Sequence, residues 1–375
     1  MTQRSPEQVF QRVKRLCYSG LEIAELKDRL VEELGAALSF HAYCFNQVDP
    51  TTALVTLNFN NGVGDAEHQR FFFENVYFED YLDGLKELVL NRLHADTLFS
   101  ASDGNPERTY RYQYLNDSGM DYGDELRTAF VANRRLWGSI ALIRARREPA
   151  FTQSHVNLMR RLSPHVGAAM QSAVLQAIAR QNEGESGAPA HREPGMMILG
   201  PKNELEYFTP AAQMWLSEIG MDLSKWPSPS ALPAPVMQAV AALSRALSMT
   251  TESDEVLIPQ IPVCGRSGLW LTIQASQMIA TSGGAYRTLI MLEPAVPRTL
   301  HAIQTAAFGM TPQEEAVVQL VAQGASTQQI AETLYISPYT VQDYLKSVFD
   351  KVGVRSRREL VKQLFLEKIL PKSAS

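Results

Sequence analysis

Residues 311–361 read TPQEEAVVQLVAQGASTQQIAETLYISPYTVQDYLKSVFDKVGVRSRRELV, four helix starts and two stops in consistent order. Thr311-Pro312-Gln313-Glu314 gives a hydroxyl cap, a proline at the first helical position and a carboxylate three residues on, which is a capping box. Ser326-Thr327-Gln328-Gln329 repeats the device with glutamine, and Ser337-Pro338 and Ser356-Arg357-Arg358-Glu359 open two further helices. Gly324 and Gly353 stand where the first and third helices must stop in a left-handed cap. The central pair, 327–334 and 338–352, is joined by Tyr335-Ile336-Ser337, the spacing of a helix-turn-helix. Ile330, Ala331 and Leu334 mark one apolar face, and Val341, Leu345, Val348, Phe349 and Val352 mark another. Ala316, Val317, Leu320 and Val321, with Leu360, Val361, Leu364 and Phe365, complete a four-helix core.

The opposite face of 338–352 carries Tyr339, Gln342, Asp343, Lys346 and Ser347. A solvated polar face is the plain reading of such a stripe. Two features favour a nucleic acid instead. The capped helix starts leave N–H groups for a phosphate. Residues 341–375 hold eight Lys or Arg against four Asp or Glu, in a chain whose net charge is −5.

Residues 310–361, about one seventh of the chain, resemble the LuxR-type helix-turn-helix domain of bacterial transcription regulators. The matching positions are Thr311, Glu314, Gly324, Ser326, Ile330-Ala331, Leu334, Ile336-Ser337, Thr340-Val341, Leu345, Lys351, Gly353-Val354 and Arg357 to Val361. The resemblance implies that the third helix enters the major groove of double-stranded DNA. It places base contacts on Gln342, Asp343 and Lys346. Thr327, Ser337, Tyr339 and Thr340, at or near the two central helix starts, are expected to meet phosphates. Three positions depart from the family pattern: Gln313, Gln342 and Tyr344 stand where Arg, Lys and His are usual. None is expected on the apolar face.

The other 300 or so residues divide at a polar Gly/Pro-rich stretch, 181–194, and again at Glu293-Pro294-Ala295-Val296-Pro297. The expected domains are therefore 8–180, 195–294 and 298–375, with 181–194 as a linker. In the first, helical patterns at 21–38, 65–94 and 152–180 alternate with strand pairs at 41–47 and 53–59, then 124–132 and 136–144. This predicts an α+β domain with its helices on one side of an antiparallel sheet. Leu38-Ser39-Phe40, Asp49-Pro50, Gly123 to Arg127, Trp137-Gly138 and Phe151-Thr152 resemble a GAF-like sensor module. The second domain reads as strands 196–199, 205–208, 257–264, 269–276 and 286–293 around helices 210–219 and 233–248. Gly195, Thr209 to Ala212, Trp215-Leu216 and the 269–276 strand resemble a PAS-like module. The fold class expected is thus multidomain: two α+β sensor-like domains and an all-α head.

Residues 40–137 hold seventeen aromatic side chains. Core packing accounts for such enrichment. So does a pocket for a small apolar or planar ligand, drawn from Tyr43, Phe45, Phe72, Tyr77, Tyr112, Phe130 and Trp137. Along 152–180, Leu162, Val166, Ala169 and Ala173 suit either a dimer seam or packing on the helix's own sheet; Pro164 predicts a kink or a new helix capped by Ser163.

No GxxxxGK[ST] motif occurs, no receiver-like acidic pocket can be assembled, and Trp137 alone does not give the spacing of an acyl-homoserine-lactone sensor. Cys17, Cys44 and Cys264 are an odd, scattered set, and the His residues show no ligand pairing. The expectation is a cytoplasmic non-enzyme with no cofactor, no metal and no membrane partner. It should act as a homodimer on two-fold DNA sites, with RNA polymerase and a small-molecule ligand as further partners. An interaction protein with a weak DNA-binding head is the alternative. Residues 1–300 hold 27 basic and 33 acidic side chains, so that part should avoid the duplex and act on the head through dimer geometry.

Overall fold

Ser5 accepts from the Gln8 N–H while the Gln8 side chain returns to the Ser5 N–H, and this capping box with Pro6 starts helix α1, Pro6–Cys17. Its buried stripe of Val9, Phe10, Val13 and Cys17 meets α2, Ile23–Gly35, which buries Leu26, Leu30 and Leu34. The expected first domain begins inside α1; Ser5-Pro6-Glu7-Gln8 was the signal that marks its true start. The structure is a computed structural model and describes residues 4–64, 68, 71–73, 82–117, 119–183, 193–221, 232–249, 260–281 and 283–366. Tyr77, most of the 181–194 linker and the middle of the 65–94 helical pattern lie outside the described residues.

Strands β1 (Ala42–Val48), β2 (Val55–Asn61), β3 (Ala95–Thr97), β4 (Asp124–Ala132) and β5 (Arg135–Arg144) form one antiparallel sheet in the order β2-β1-β5-β4-β3. Helices α3 (Leu82–Leu90), α4 (Leu98–Ala101), α5 (Tyr110–Asp117) and α6 (Gln153–Glu183) complete this part. The short β3 was not anticipated. Strands β6 (Gly195–Leu199), β7 (Leu205–Phe208), β8 (Gln260–Cys264), β9 (Trp270–Met278) and β10 (Arg287–Pro294) form a second antiparallel sheet, β7-β6-β10-β9-β8, with α7 (Pro210–Glu218) and α8 (Ala234–Met249). Counted within each sheet, the strand order is the same: 2-1-5-4-3.

Pleating decides what each face of the first sheet does. Phe45, Leu126, Phe130, Trp137, Ile140 and Leu142 point to the side covered by α1, α2 and α6. The other side is also covered: α3 places Leu85 and Leu88 with Ala129 and Val131, and α5 places Leu115 with Tyr122 and Ile143. The expectation of helices on one side is therefore corrected.

Helix α6 runs through Pro164 without a new start. Ser163 is not a cap; its hydroxyl donates to the Ala129 carbonyl at 2.6 Å and accepts from the Val131 N–H at 3.3 Å. The helix lies so close to β4 that a Cβ on Gly167 would meet the Val131 backbone at 2.7 Å. Leu162, Val166 and Ala169 are buried inside the chain, so the stripe considered for a dimer seam is used internally.

The two sheet domains are not separate beads. Val48, Leu54 and Val55 of the first join Val236, Met237 and Val240 of α8 in one apolar core, and the Val55 N–H donates to the buried Gln238 side chain. A helix that the sequence reading did not anticipate, α9 (Pro297–Ala307), opens the expected 298–375 segment. Leu300, Ile303, Ala306 and Ala307 pack into the core that α6 and Trp270 share.

Candidate nucleic-acid interface

The head comprises α10 (Pro312–Ala322), α11 (Thr327–Leu334), α12 (Pro338–Val352) and α13 (Arg357–Val361). Each begins as its sequence indicates. Thr311 and Glu314 close a capping box on α10, and Ser326 and Gln329 close one on α11. Ser337 accepts from the Thr340 N–H at 3.0 Å to start α12, and Ser356 accepts from the Glu359 N–H at 3.2 Å to start α13. The turn between α11 and α12 is tight because Tyr335 adopts a left-handed conformation, φ 56°, that ends α11 at once. Gly353, φ 77°, ends α12 in the same way.

Val317, Val318, Val321, Ile330, Ala331, Val341, Leu345, Val348, Val352, Leu360 and Leu364 form the closed core. Packing them inward fixes what α12 presents outward. Gln342, Asp343 and Lys346 are all exposed, and so is Tyr339, at 73%. The three side chains expected to read bases therefore share one accessible face, with Tyr339 and Ser337 at its N-terminal edge. Tyr344 corrects an expectation: it is half-buried against the head's core, so this departure from the family pattern does touch the apolar side.

The phosphate-directed set is divided. Ser337 and Thr340 hydroxyls lie 2.8 Å apart and bond to each other at the helix start. Thr327 lies at the start of α11, where its hydroxyl accepts from the Arg357 guanidinium at 2.9 Å, and Arg357 also donates to the Ala325 carbonyl at 2.9 Å. Arg357 thus ties α13 to the start of α11. Another cation is turned inward: Lys351 donates to Glu314 at 2.6 Å and to the Gly309 carbonyl at 3.0 Å. Exposed Lys346, Arg355, Arg358 and Lys362 remain to attract a polyanion.

Glu314 is the anchor of this arrangement. It is 3% exposed and accepts from Ser347 at 2.6 Å as well as from Lys351 and the Thr311 N–H. Burial alone would raise its carboxyl, but the bonds from Lys351, Ser347 and Thr311 outweigh it and hold the group at about 2. The capping box was legible in the sequence; the link to α12 was not.

The head also touches the first sheet domain. Arg135, at the start of β5, pairs with Glu315 of α10 at 2.5 Å, and Gln171 of α6 donates to the Ala307 carbonyl at 2.7 Å. Asn133 donates to Gln171 at 3.1 Å, and its amide crowds the position a Cβ on Gly309 would take, at 2.8 Å. These contacts hold the junction between α9 and α10 and leave the exposed face of α12 uncovered.

The aromatic residues expected to share a pocket are split between the two faces of the first sheet. Phe45, Phe130 and Trp137 are fully buried on the α1/α2/α6 side, with Tyr43 packed against them. Trp137 donates to the Ala132 carbonyl at 3.2 Å, which accounts for its polar atom. Phe72 and Tyr112 lie on the other side; Tyr77 is outside the described residues. On that other side the sheet buries a polar cluster that aromatic counting missed. Arg111 pairs with Glu125 at 2.9 Å, Arg127 reaches the second oxygen of Glu125 at 2.9 Å, and the Tyr122 hydroxyl donates to Glu125. Burial opposes the charge on Glu125, yet Arg111 and Arg127 overcome it and lower its carboxyl. A cavity of about 390 Å³ adjoins it, bounded by Glu125, Arg127, Asp96, Thr97, Glu87 and Leu88.

Among the described residues no three His, Cys, Asp or Glu side chains are grouped to hold a metal ion, and no helix is long and apolar enough to cross a membrane.

Comparison with known proteins bears on the head. The family model "Bacterial regulatory proteins, luxR family" matches residues 309–364. A putative HTH-type transcriptional regulator of Mycobacterium bovis is 48% identical over 52 residues, 14% of this chain and 6% of that one. The spore germination protein GerE of Bacillus subtilis is 34% identical over 55 residues, 15% of this chain and 74% of that protein. The chain thus spans only about 6% of the length of the first of these relatives. Among solved structures, a phage VqmA-DPO complex aligns with 52% of this chain and 91% of its own at 17% identity, with a TM-score of 0.25, too low for any argument to rest on it.

Proposed function

We propose that this chain, which belongs to the luxR family of bacterial regulatory proteins through its C-terminal head, is a sequence-specific transcription regulator acting as a homodimer on double-stranded DNA in the cytoplasm. The observation that carries the reading is the exposed face of α12: Gln342, Asp343 and Lys346 stand together on a helix whose start is capped and whose other side is fully used in the core. Gln suits adenine, Asp a cytosine amino group and Lys guanine. Ser337, Tyr339 and Thr340 at the start of α12, with Thr327 at the start of α11, are the phosphate-facing set. RNA polymerase is the partner through which such binding would change transcription.

The two sheet domains are read as GAF-like and PAS-like sensors, a reading supported by their shared 2-1-5-4-3 strand order. Control by a small ligand or signal is part of the same reading. The cavity beside Glu125 and Arg127 supports it on the first sheet. The Mycobacterium bovis relative is named a putative HTH-type transcriptional regulator, and the matched family is one of regulatory proteins rather than enzymes. A salt-titrated binding assay on DNA selected from a random pool tests the proposal. A steep loss of affinity with salt together with a defined selected sequence is expected; selection that recovers no sequence would leave only the weak-head alternative.

A further inference from the structure

The second sheet buries only one of its faces fully. Met197, Leu199, Ile273, Ile290 and Leu292 point into the core shared with α7 and α8. Alternation turns their neighbours to the outer face. There Tyr207, Ile198 and Leu289 stand abreast across β7, β6 and β10, and Met196 and Met291 form the next row. On β9 and β8 the same rows continue as Ser276, Gln274 and Gln260, so the face is apolar at one end and polar at the other. The polar end adjoins α9, whose Thr299 hydroxyl donates to Gln260 at 3.4 Å. The apolar end is open: Tyr207 is 65% exposed and Met196 40%, while Ile198, Leu289 and Met291 are half-buried.

Charge is balanced at this end. Arg287, beside the apolar rows, pairs with Glu206 of β7 at 2.6 Å, and the carboxylate lies against Gly200, where a Cβ would meet it at 2.8 Å. Glu293 stands one row beyond Met291, opposite the buried Thr272 and towards α9. With Met278, and with Ile279 and Tyr286 of the β9–β10 hairpin, the open apolar surface covers roughly 500 Å². That is near the upper end for the largest patch on a monomer. It also matches a homodimer interface, which buries about 800 Å² per partner, about 65% of it apolar. Two copies of a chain with net charge −5 repel over most of their surface, but not where charge is balanced and the contact is apolar. The α6 stripe that could have served as a seam is already used inside the chain. We infer that the apolar half of the outer face of the second sheet, on β7, β6 and β10, meets the same face of a second copy about a two-fold axis. A two-fold contact uses one self-complementary patch on both chains, and this patch brings little uncompensated charge to its own image. Because α9 borders the face, pairing the sheets fixes the separation of the two α9 helices and hence of the two heads. The inference rests on the homodimer reading above and names the surface that makes the dimer.

Sedimentation equilibrium of the full chain, without DNA, is the test. An interface of this size should hold the unaltered chain as a dimer at about 10 μM. Met196→Asp combined with Tyr207→Asp sets like charges against each other across the axis and should weaken dimerisation at least about 100-fold; Met196→Lys with Tyr207→Lys should do the same. Both pairs change exposed side chains, so the circular dichroism of each variant should match that of the unaltered chain. Mixing the acidic and basic variants should restore a dimer, because each then meets the opposite charge. Leu90→Asp, at a 79% exposed apolar side chain of the first sheet domain, should dimerise like the unaltered chain. A monomeric unaltered chain overturns the inference and the homodimer reading together. Acidic and basic variants that dimerise as well as Leu90→Asp overturn the inference alone and leave the homodimer standing. A mixture that stays monomeric also overturns it, since the face would then meet a different surface of the partner.

Discussion

Glu314 in the head and Glu125 on the first sheet are both carboxylates withdrawn from water, at 3% and 1% exposure, and both stay ionised against the pull of burial. Their surroundings are built differently. Glu314 begins as a local cap, bonded to Thr311 three residues away, and then collects Ser347 and Lys351 from one facing helix. Glu125 draws on Arg111 of α5, Tyr122 of the connecting segment and Arg127 of its own strand, and its neighbours are other buried polar groups of the sheet. The first arrangement stiffens a small domain whose polar face is turned outward. The second encloses charge beside a cavity. A carboxylate held by a cap is a structural fastening. One held by two arginines next to empty space is a place where an occupant can change the balance.

The largest effect expected from breaking this contrast is at Glu125. Glu125→Ala removes the buried carboxylate that Arg111, Arg127 and the Tyr122 hydroxyl all meet, and losing one member of a buried ionic group costs about 3–5 kcal/mol. Urea unfolding of the full chain should show a transition displaced by that amount, assigned to the first sheet domain by hydrogen exchange of β4 and β5. A loss below about 1 kcal/mol would mean the cluster is solvated and unlike the interior site described.

Glu314 should give a smaller loss with a distinctive pH signature. Its folded value of about 2 lies below the ordinary 4.5, so its contribution is complete above about pH 4.5 and fades as pH falls towards 2. The expected size is about 2–3 kcal/mol. Glu314→Gln keeps an acceptor for the Thr311 N–H but gives up the charge. The stability gap between the two proteins, read from urea midpoints, should be widest near pH 6 and narrow by pH 3. A gap that does not change with pH would show that Glu314 acts by shape alone.

What was legible in the chain follows the same division. The four head helices could be read because each start is written within four residues of sequence, as Thr311–Glu314 and Ser326–Gln329 illustrate. Strand pairs such as β4 and β5, and nearly every strand of the second sheet, were legible from alternation and turns. Helix α9 was hidden: its Val296 cap makes no side-chain hydrogen bond, and Pro294 and Pro297 mark only a domain division. The Glu125 cluster, the core shared by β2 and α8, and the Arg135–Glu315 contact join residues far apart in sequence, and no local pattern announces them. Aromatic enrichment misled for a related reason. It gives composition without face: Phe45 points from β1 towards α1, α2 and α6, whereas Phe72, outside the strands, lies under Arg111 on the opposite side.

Gln342 and Thr340 sharpen the functional half of the comparison. Gln342 is exposed on α12, whereas the Thr340 hydroxyl is held by Ser337 at the helix start. Gln342→Ala should cost about 1–3 kcal/mol at one base position and relax preference there. Thr340→Ala should weaken binding to all sequences alike. Selection from random DNA with each variant distinguishes the two roles; an unchanged preference with Gln342→Ala removes its assignment to a base.

The smallest effect is expected where the two regions meet. Arg135 and Glu315 are each about a fifth exposed, so their pairing is partly screened and should contribute about 1 kcal/mol or less. That is too little to dock the head alone. Gln171 and the packed α9 supply the rest of the attachment. Arg135→Ala should therefore loosen the orientation of the head without releasing it. The isolated α12 face is unaffected, so affinity for DNA with a single half-site should stay the same. Binding two half-sites requires both heads of a dimer to be held at a fixed spacing, and freedom at the junction dilutes that advantage. Affinity for two-site DNA should then fall by up to about five-fold, the equivalent of 1 kcal/mol. A drop of equal size on one-site and two-site DNA would place Arg135 in direct contact with the duplex. No drop on either would show that the sheet domains do not set head orientation through this contact, leaving α9 to carry it.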